Sequence, residues 1–415
     1  MAPQLSAAGK AHIDKFLEDT VNARKYPAQF VGVTTGDGIL HFAAGGDVNF
    51  GDASKGQVNE NTTVELWSMT KLMTSIACLQ LAEKGLVDFD DPALIEKHCP
   101  LLVKVPILEG YSDDGKPITK QRKNPITLRR LLTHTSGCGY AVVNPLLGRW
   151  EQENKILSWV RPGATVESIA TPILFEPGTK FQYGVGIDWA GFVVMSVTGK
   201  SLEEYFKENI WGPCGMTSTS FYPTDDIKSR LMHMCGRDAE GNITLQDGFR
   251  PIPKLKPEDI TFLSGGGGTL GTLKEYLTML QHILACKDKE GGIISPASFK
   301  LLFTPSLPPR DETNTCAKNM GGMLAMMGDS DEPQFTSGDK LNHTLGLALF
   351  EADSSKGPKA GSGFWGGAAK TSYWIDPASG IAAVCGTNIL DQDPSYRAVV
   401  NGFQRVIYEA LEMSK

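Results

Sequence analysis

Residues 66–85 read LWSMTKLMTSIACLQLAEKG. The run reads as one helix, closed by Gly85, a residue suited to the position just past a helix end. It opens with Ser68 and sets Lys71 three positions later, on the same helix face. Burying that lysine is costly, and a core has no need of it. Chemistry does. A serine hydroxyl is a weak nucleophile until a base takes its proton, and an amine in a low-dielectric cleft is such a base. Ser68 also falls where helix N–H groups are unpaired and the dipole is positive, so an oxyanion formed there meets backbone donors. By chance alone, S-x-x-K is expected about once or twice in a chain of ordinary composition. A second copy, Ser337 to Lys340, lies in a loop rich in glycine and aspartate, with no helix to hold the pair.

Outward from this helix, Ile13, Phe16, Leu17 and Val21 recur at helical spacing. Gln29–Thr35 and Ile39–Ala44 flank Gly36-Asp37-Gly38 and predict a hairpin. From Val87 to about Phe262, short helical patterns alternate with Pro and Gly, and strands are hard to find. Ser264–Gly271 (SGGGGTLG) lacks the GK[ST] ending of a phosphate loop and predicts a tight re-entry into a helix over 272–285. The segment 305–340 has little periodicity and predicts a loop or lid. His343–Glu351, Ala369–Ile375 and Ile381–Thr387 read as strands, and a helix carrying Val399, Phe403, Val406, Ile407 and Ala410 closes the chain. The expected fold is α/β in the α+β sense. One antiparallel sheet is drawn from both termini (residues 1–86 and 264–415) and flanked by helices. A mostly helical domain, residues 87–263, is inserted between them, with the active site in the cleft.

The chain has 415 residues, 41% of them hydrophobic, 21% charged and a net charge of −7, which fits a globular protein and argues against nucleic-acid or anionic-membrane surfaces. The N-terminus lacks a signal-peptide core, and no apolar run approaches the ~18 residues of a membrane helix. Eight cysteines occur without CxxC spacing and seven histidines without HExxH. Reduced thiols in the cytoplasm are expected, with no metal and no cofactor. G-x-S-x-G does not occur. His134, in LLTHTSG (131–137), reads more readily as a hydrogen-bonded helix end than as a base.

Four motifs in order carry a resemblance that spans nearly the whole chain. They are the Ser68-Met69-Thr70-Lys71 helix, LLTHTSG (131–137), FEPGTKFQY (175–183) and Phe364-Trp365-Gly366-Gly367-Ala368. Together they resemble the serine β-lactamase and penicillin-binding-protein clan, in its class C and family VIII carboxylesterase branch. Within it, the nearest likeness is to fungal transesterases that acylate statin polyketides; Tyr183-Gly184-Val185-Gly186-Ile187-Asp188-Trp189-Ala190-Gly191 is similar to a segment of theirs. The resemblance implies that Ser68 is the nucleophile and Lys71 its base partner. It implies that Tyr183 shuttles the proton, and that the backbone N–H groups of Ser68 and Ala368 form the oxyanion hole. Trp365, Gly366 and Gly367 would line the acyl site.

Two departures bear on the substrate. Tyr183-Gly184-Val185 stands where β-lactamases carry Y-x-N, so the amide that holds a lactam side chain is missing. Trp365-Gly366-Gly367 stands in place of K-T-G; Lys370-Thr371 comes three positions late and is followed by Ser372. Weak or absent β-lactamase activity is therefore expected. The expected function is acyl transfer from an ester or thioester donor to a hydroxyl of a hydrophobic natural product such as a polyketide. Ester hydrolysis is the alternative, and a catalytically idle binding protein the third reading. Apolar residues within 140–172, with Trp150 and Trp159, and Met320, Met323, Met326 and Met327 suit a bulky acceptor or simple packing equally well. The partners would be small molecules and, for the donor, an acyl carrier domain of a polyketide synthase docking on a local basic run such as 120–130.

Overall fold

The computed structural model describes residues 3–311, 314–327, 330–391 and 393–415. Its centre is a seven-stranded sheet. The chain enters through helix α1 (Ala7–Asn22) and the hairpin β1 (Gln29–Thr34) and β2 (Ile39–Gly45). Much later it supplies β3 (Leu341–His343), β4 (Ala348–Phe350), β5 (Gly363–Gly367), β6 (Thr371–Asp376) and β7 (Ile381–Gly386). The order is β2-β1-β7-β6-β5-β4-β3, and every pairing is antiparallel. The first and last parts of the chain therefore meet at β1 and β7, with Phe30 opposite Gly386 and Thr34 opposite Ala382.

Both faces of the sheet are covered, and the side chains alternate accordingly. Ile381, Ala383 and Cys385 join Val31 and Val33 in one core, with Ile13 and Leu17 of α1 and Phe403 and Ile407 of the last helix, α5 (Tyr396–Glu412). Ala382, Val384 and Phe30 point the other way, into a larger core with Tyr276, Leu277 and Leu280 of α4 (Leu273–Ala285). The terminal helices cover one face of the sheet, and α4 closes the other.

The opening helix differs at its first turn. Trp67–Met69 is a single 3-10 turn, and the α-helix, α2, runs Thr70–Glu83. Every residue from Thr70 to Leu81 is buried. A helix buried all round belongs at the centre of a large protein, and each of its Leu, Ile and Met side chains contributes about 1.5–3 kcal/mol through burial. It ends as expected: Gly85 has φ +66°, its N–H reaches the Ala82 carbonyl, and the Leu86 N–H reaches that of Leu81. α3 (Gly186–Thr198), a second largely buried helix, packs against α2.

Four expectations are corrected in detail. His343–Glu351 is two strands, because the Thr344 N–H turns back to the Leu347 carbonyl. The motif Phe364–Ala368 lies mostly within a full strand, Gly363–Gly367, and the next begins at Thr371 because Lys370 (φ +65°) makes the turn. The middle of the chain carries two short hairpins, Ile107–Tyr111 with Pro117–Lys120 and Cys235–Arg237 with Ile243–Leu245. The segment 305–340 is not simply loop: Cys316–Met326 is helical, with Met320 and Leu324 in the α1/α5 core, while Met326 and Met327 stand in solvent. The glycine-rich joint is the tight re-entry expected, for Leu270–Thr272 pairs with Thr63–Glu65, the strand leading into Ser68.

Candidate active site

Ser68 sits in a turn held from several sides. Trp67 before it adopts φ +47°, a conformation strained for a bulky residue. The Thr70 hydroxyl donates to the Trp67 carbonyl at 2.7 Å. The Leu66 N–H donates to the Thr269 carbonyl at 3.1 Å, and the Tyr276 hydroxyl donates to the Met69 carbonyl at 3.0 Å. Below the turn, a buried Arg250–Glu65 pair (3.0 Å) places its guanidinium 4.5 Å from the Trp67 ring. The surrounding contacts over-determine the turn, which fixes the Ser68 hydroxyl while leaving the residue half-buried and open to a reactant.

Lys71, one turn on, is 2% exposed. Its Nζ lies 3.1 Å from Ser68 Oγ, 3.1 Å from the Tyr140 hydroxyl and 2.6 Å from the Gly266 carbonyl oxygen. Three partners match the three N–H bonds of an ammonium, and as a free amine the same nitrogen can accept a proton from a hydroxyl. Two tyrosine faces complete its surroundings, Tyr183 at 4.7 Å and Tyr140 at 5.5 Å from the ring centres.

Tyr183 precedes α3, and its hydroxyl donates to Ser68 Oγ at 2.5 Å. Gly184 follows because there is no room for a side chain: a Cβ there would overlap the Cys138 carbonyl and the backbone of Gly139. That contact sets Tyr183 beside Tyr140, their ring centres 5.2 Å apart and nearly perpendicular. Trp365 of β5 donates its indole N–H to the Tyr183 hydroxyl at 3.4 Å. Ser68, Lys71, Tyr183 and Trp365 thus come together. Gly366 and Gly367 continue β5 toward the Ser68 turn, where a Cβ on Gly367 would stand 2.5 Å from the Leu66 carbonyl oxygen. Ala368, next along, is exposed.

Lys370 does not face this site. Its ammonium pairs with Asp391 at 2.9 Å and bonds the Asp393 carbonyl at 2.8 Å. The second S-x-x-K serine, Ser337, is exposed and bonds Asp339. His134 (φ +56°) is buried, and its backbone takes the expected structural part, the carbonyl accepting from the Gln182 N–H at 2.9 Å. Neither ring nitrogen has a partner among the described residues. The ring packs instead, 4.9 Å from Tyr183 and stacked at 6.1 Å on Trp365. Burial, aided by His343 and Lys71, holds His134 well below the usual histidine range, so it stays neutral.

Three participants escaped the sequence reading. Tyr140 lies three residues past the HTSG turn, with its ring stacked on Trp159 at 5.5 Å. Burial, with Asp188 and Tyr183 adding, holds its phenol well above the ordinary value. Gly266 brings its carbonyl to Lys71 out of the glycine run. Asp188 is a lone acid in the apolar run GIDWAGFVVM (186–195); that isolation was the available signal. Among the described residues, no group of His, Cys, Asp and Glu is placed to hold a metal ion, and no helix is long and apolar enough to cross a membrane.

The Beta-lactamase family model matches residues 13–401. The chain is similar to the monacolin J acid methylbutanoyltransferase of Aspergillus terreus, 31% identical over 365 residues, covering 84% of this chain and 82% of the other. It is 30% identical to the lovastatin esterase of Penicillium rubens over 325 residues, 77% of each chain. Among solved structures, unliganded simvastatin synthase (LovD) from Aspergillus terreus superposes with a TM-score of 0.83 at 27% identity, covering 97% of this chain and 98% of that one. EstCE1, a hydrolase with promiscuous acyltransferase activity, shares the fold with a TM-score of 0.74 at 22% identity, covering 97% of this chain and 100% of that one. By the reach of the family match and the likeness to these relatives, the chain belongs to the Beta-lactamase family.

Proposed function

We propose that the protein is a serine acyltransferase that passes a short acyl group through an ester on Ser68. The observation that carries this is Ser68 Oγ standing 3.1 Å from Lys71 Nζ and 2.5 Å from the Tyr183 hydroxyl. Ser68 gives its proton to the Lys71–Tyr183 pair as its oxygen attacks the donor carbonyl. The tetrahedral oxyanion is met by the N–H groups of Ser68 and Ala368. Collapse expels the donor's thiol or alcohol, which takes a proton from Tyr183. The acceptor hydroxyl then gives its proton to the same phenol as it attacks the acyl carbon, and Ser68 recovers its hydrogen. Trp365, Gly366 and Gly367 line the acyl side of the cleft.

In this reading the chain divides into an α/β domain, residues 1–86 with 264–415, and an inserted domain, residues 87–263. Ser68 and Lys71 come from the first, Tyr140 and Tyr183 from the second, and the cleft lies between. Val142 and Val143, 70% and 65% exposed just past Tyr140, favour a hydrophobic acceptor such as a polyketide alcohol. Lys370, tied to Asp391, offers no cation for a lactam carboxylate, which favours esters and thioesters.

The acyl donor is a small thioester or ester in the first instance. An acyl carrier domain is the further donor considered, but the cationic run meant to receive it is largely committed: Lys120 to Glu109, Arg129 to Asp90, Arg122 to the Val103 carbonyl. Eight free, buried cysteines suit a reducing compartment such as the cytoplasm.

Hydrolysis is the second reading, favoured by the esterase among the relatives. The test is incubation with a short acyl thioester, with and without a hydrophobic alcohol. Ester product should form with wild type, and Ser68→Ala should lose about 10⁴-fold or more. Acyl transfer to water in every case would leave an esterase. No labelling of wild type by a fluorophosphonate would leave the third reading, an idle binding protein.

A further inference from the structure

Asp188 has no part in the steps above, yet it is 1% exposed and bonds the same Gly266 as the base does. Its Oδ1 accepts from the Gly266 N–H at 3.0 Å and from the Ser264 hydroxyl. Its Oδ2 is buried with no hydrogen-bond partner among the described residues. Gly266 is packed so closely against it that a Cβ there would stand 2.5 Å from Oδ2. The carbonyl of that same Gly266 takes the shortest bond of Lys71, 2.6 Å. One carboxylate therefore fixes the segment that grips the lysine, and it feels the lysine's charge.

We propose that Asp188 is a positioning residue that favours the ammonium Lys71 becomes on taking the proton of Ser68, by anchoring Gly266 and by supplying a buried negative charge near it; this rests on the reading of Lys71 as the proton partner of Ser68. Two donors on one oxygen favour the ionised carboxyl. Burial pushes Asp188 up from the usual carboxylate range, and Lys71, Ser264 and Gly266 draw it back. The other groups facing the pair do not change charge near neutrality. Tyr140 is held well above its ordinary value, the Cys138 thiol is pushed up to about 11 chiefly by burial, and His134 is held well below the histidine range. Tyr183 meets the lysine through its ring face.

The test is the rate of Ser68 labelling by a fluorophosphonate, followed from pH 5 to 9, for wild type and Asp188→Asn. Asparagine keeps the acceptor for Ser264 and Gly266 and removes the charge. The free amine should then form more readily, so the rise of labelling with pH should move about one unit or more toward acid, with KM for an acyl donor within about twofold. Thermal unfolding checks that the variant is folded. Ser264→Ala, which removes one donor from the carboxylate, serves if it is not; its rise should move in the same direction by less. A folded Asp188→Asn whose profile superposes on wild type, or moves toward alkali, overturns the proposal, as does an unmoved Ser264→Ala where only that variant folds. Failure of wild type to label at all would instead remove the Ser68 reading beneath it.

Discussion

Two phenols touch the Ser68–Lys71 pair, and they are not equivalent. Tyr183 bonds the serine; Tyr140 bonds the lysine and holds its proton tightly because it is buried beside Asp188. Only the first lies where a leaving group or an acceptor hydroxyl can exchange protons with it. The second tethers the amine. Tyr140→Phe keeps the ring on Trp159 and removes one of three partners from a buried nitrogen. The expected outcome is a fall in kcat of about 10–100-fold with KM little changed, less than the loss from Tyr183→Phe, which deletes the shuttle and should exceed about 10³-fold. Steady-state hydrolysis of a chromogenic short-chain ester measures both. Equal losses would make the two phenols a single unit.

At the scale of elements, the site is a meeting of a strand end with a helix start. β5 reaches the Ser68 turn only because Gly367 has no side chain: a Cβ would lie 2.5 Å from the Leu66 carbonyl. Gly367→Ala should push the strand and the turn apart by a fraction of an ångström to an ångström. It should lower kcat by about 100-fold with the sheet intact by circular dichroism, since misplacement on that scale is enough to spoil an attack geometry. Much of this was legible beforehand. The S-x-x-K spacing on a helix pointed to Ser68 and Lys71, the family resemblance pointed to Tyr183 and the Trp365-Gly366-Gly367 run, and hairpin and helix periodicities pointed to the sheet and its covers. What escaped is what sequence distance conceals. The 3-10 start at Trp67–Met69 depends on Thr269 and Tyr276, some 200 positions away, and a strand of the composition Gly-Phe-Trp-Gly-Gly shows no alternation to read. Tyr140 and Gly266 reach Lys71, and Asp188 reaches Gly266, only through the tertiary fold.

For the whole molecule, the site lies on a seam. Tyr183 and Trp365 pack against both hydrophobic cores. Behind them sit two buried histidines, His134 and His343, with ring centres 5.5 Å apart. Their neutrality ties the stability of the entire chain to pH. His343 donates from Nδ1 to the Thr344 carbonyl at 2.6 Å, and burial lowers it from 6.5 to about 4. A histidine depressed in the folded state leaves the unfolded chain binding more protons below pH 6.5, so stability is full above that value and is lost as pH falls toward 4. A shift of that size corresponds to about 3 kcal/mol, a large fraction of the stability of a folded chain. His343→Phe keeps an aromatic ring among His134, Phe181 and Trp365 and removes the titration. Urea unfolding at steps between pH 7.5 and 4 should show wild type losing about 3 kcal/mol more than the variant. The two curves should run parallel above pH 6.5, offset by the lost Thr344 bond. Parallel curves throughout would mean that His343 takes up its proton in the folded state. The aromatic cluster behind Tyr183 would then accommodate a charge that its burial argues against.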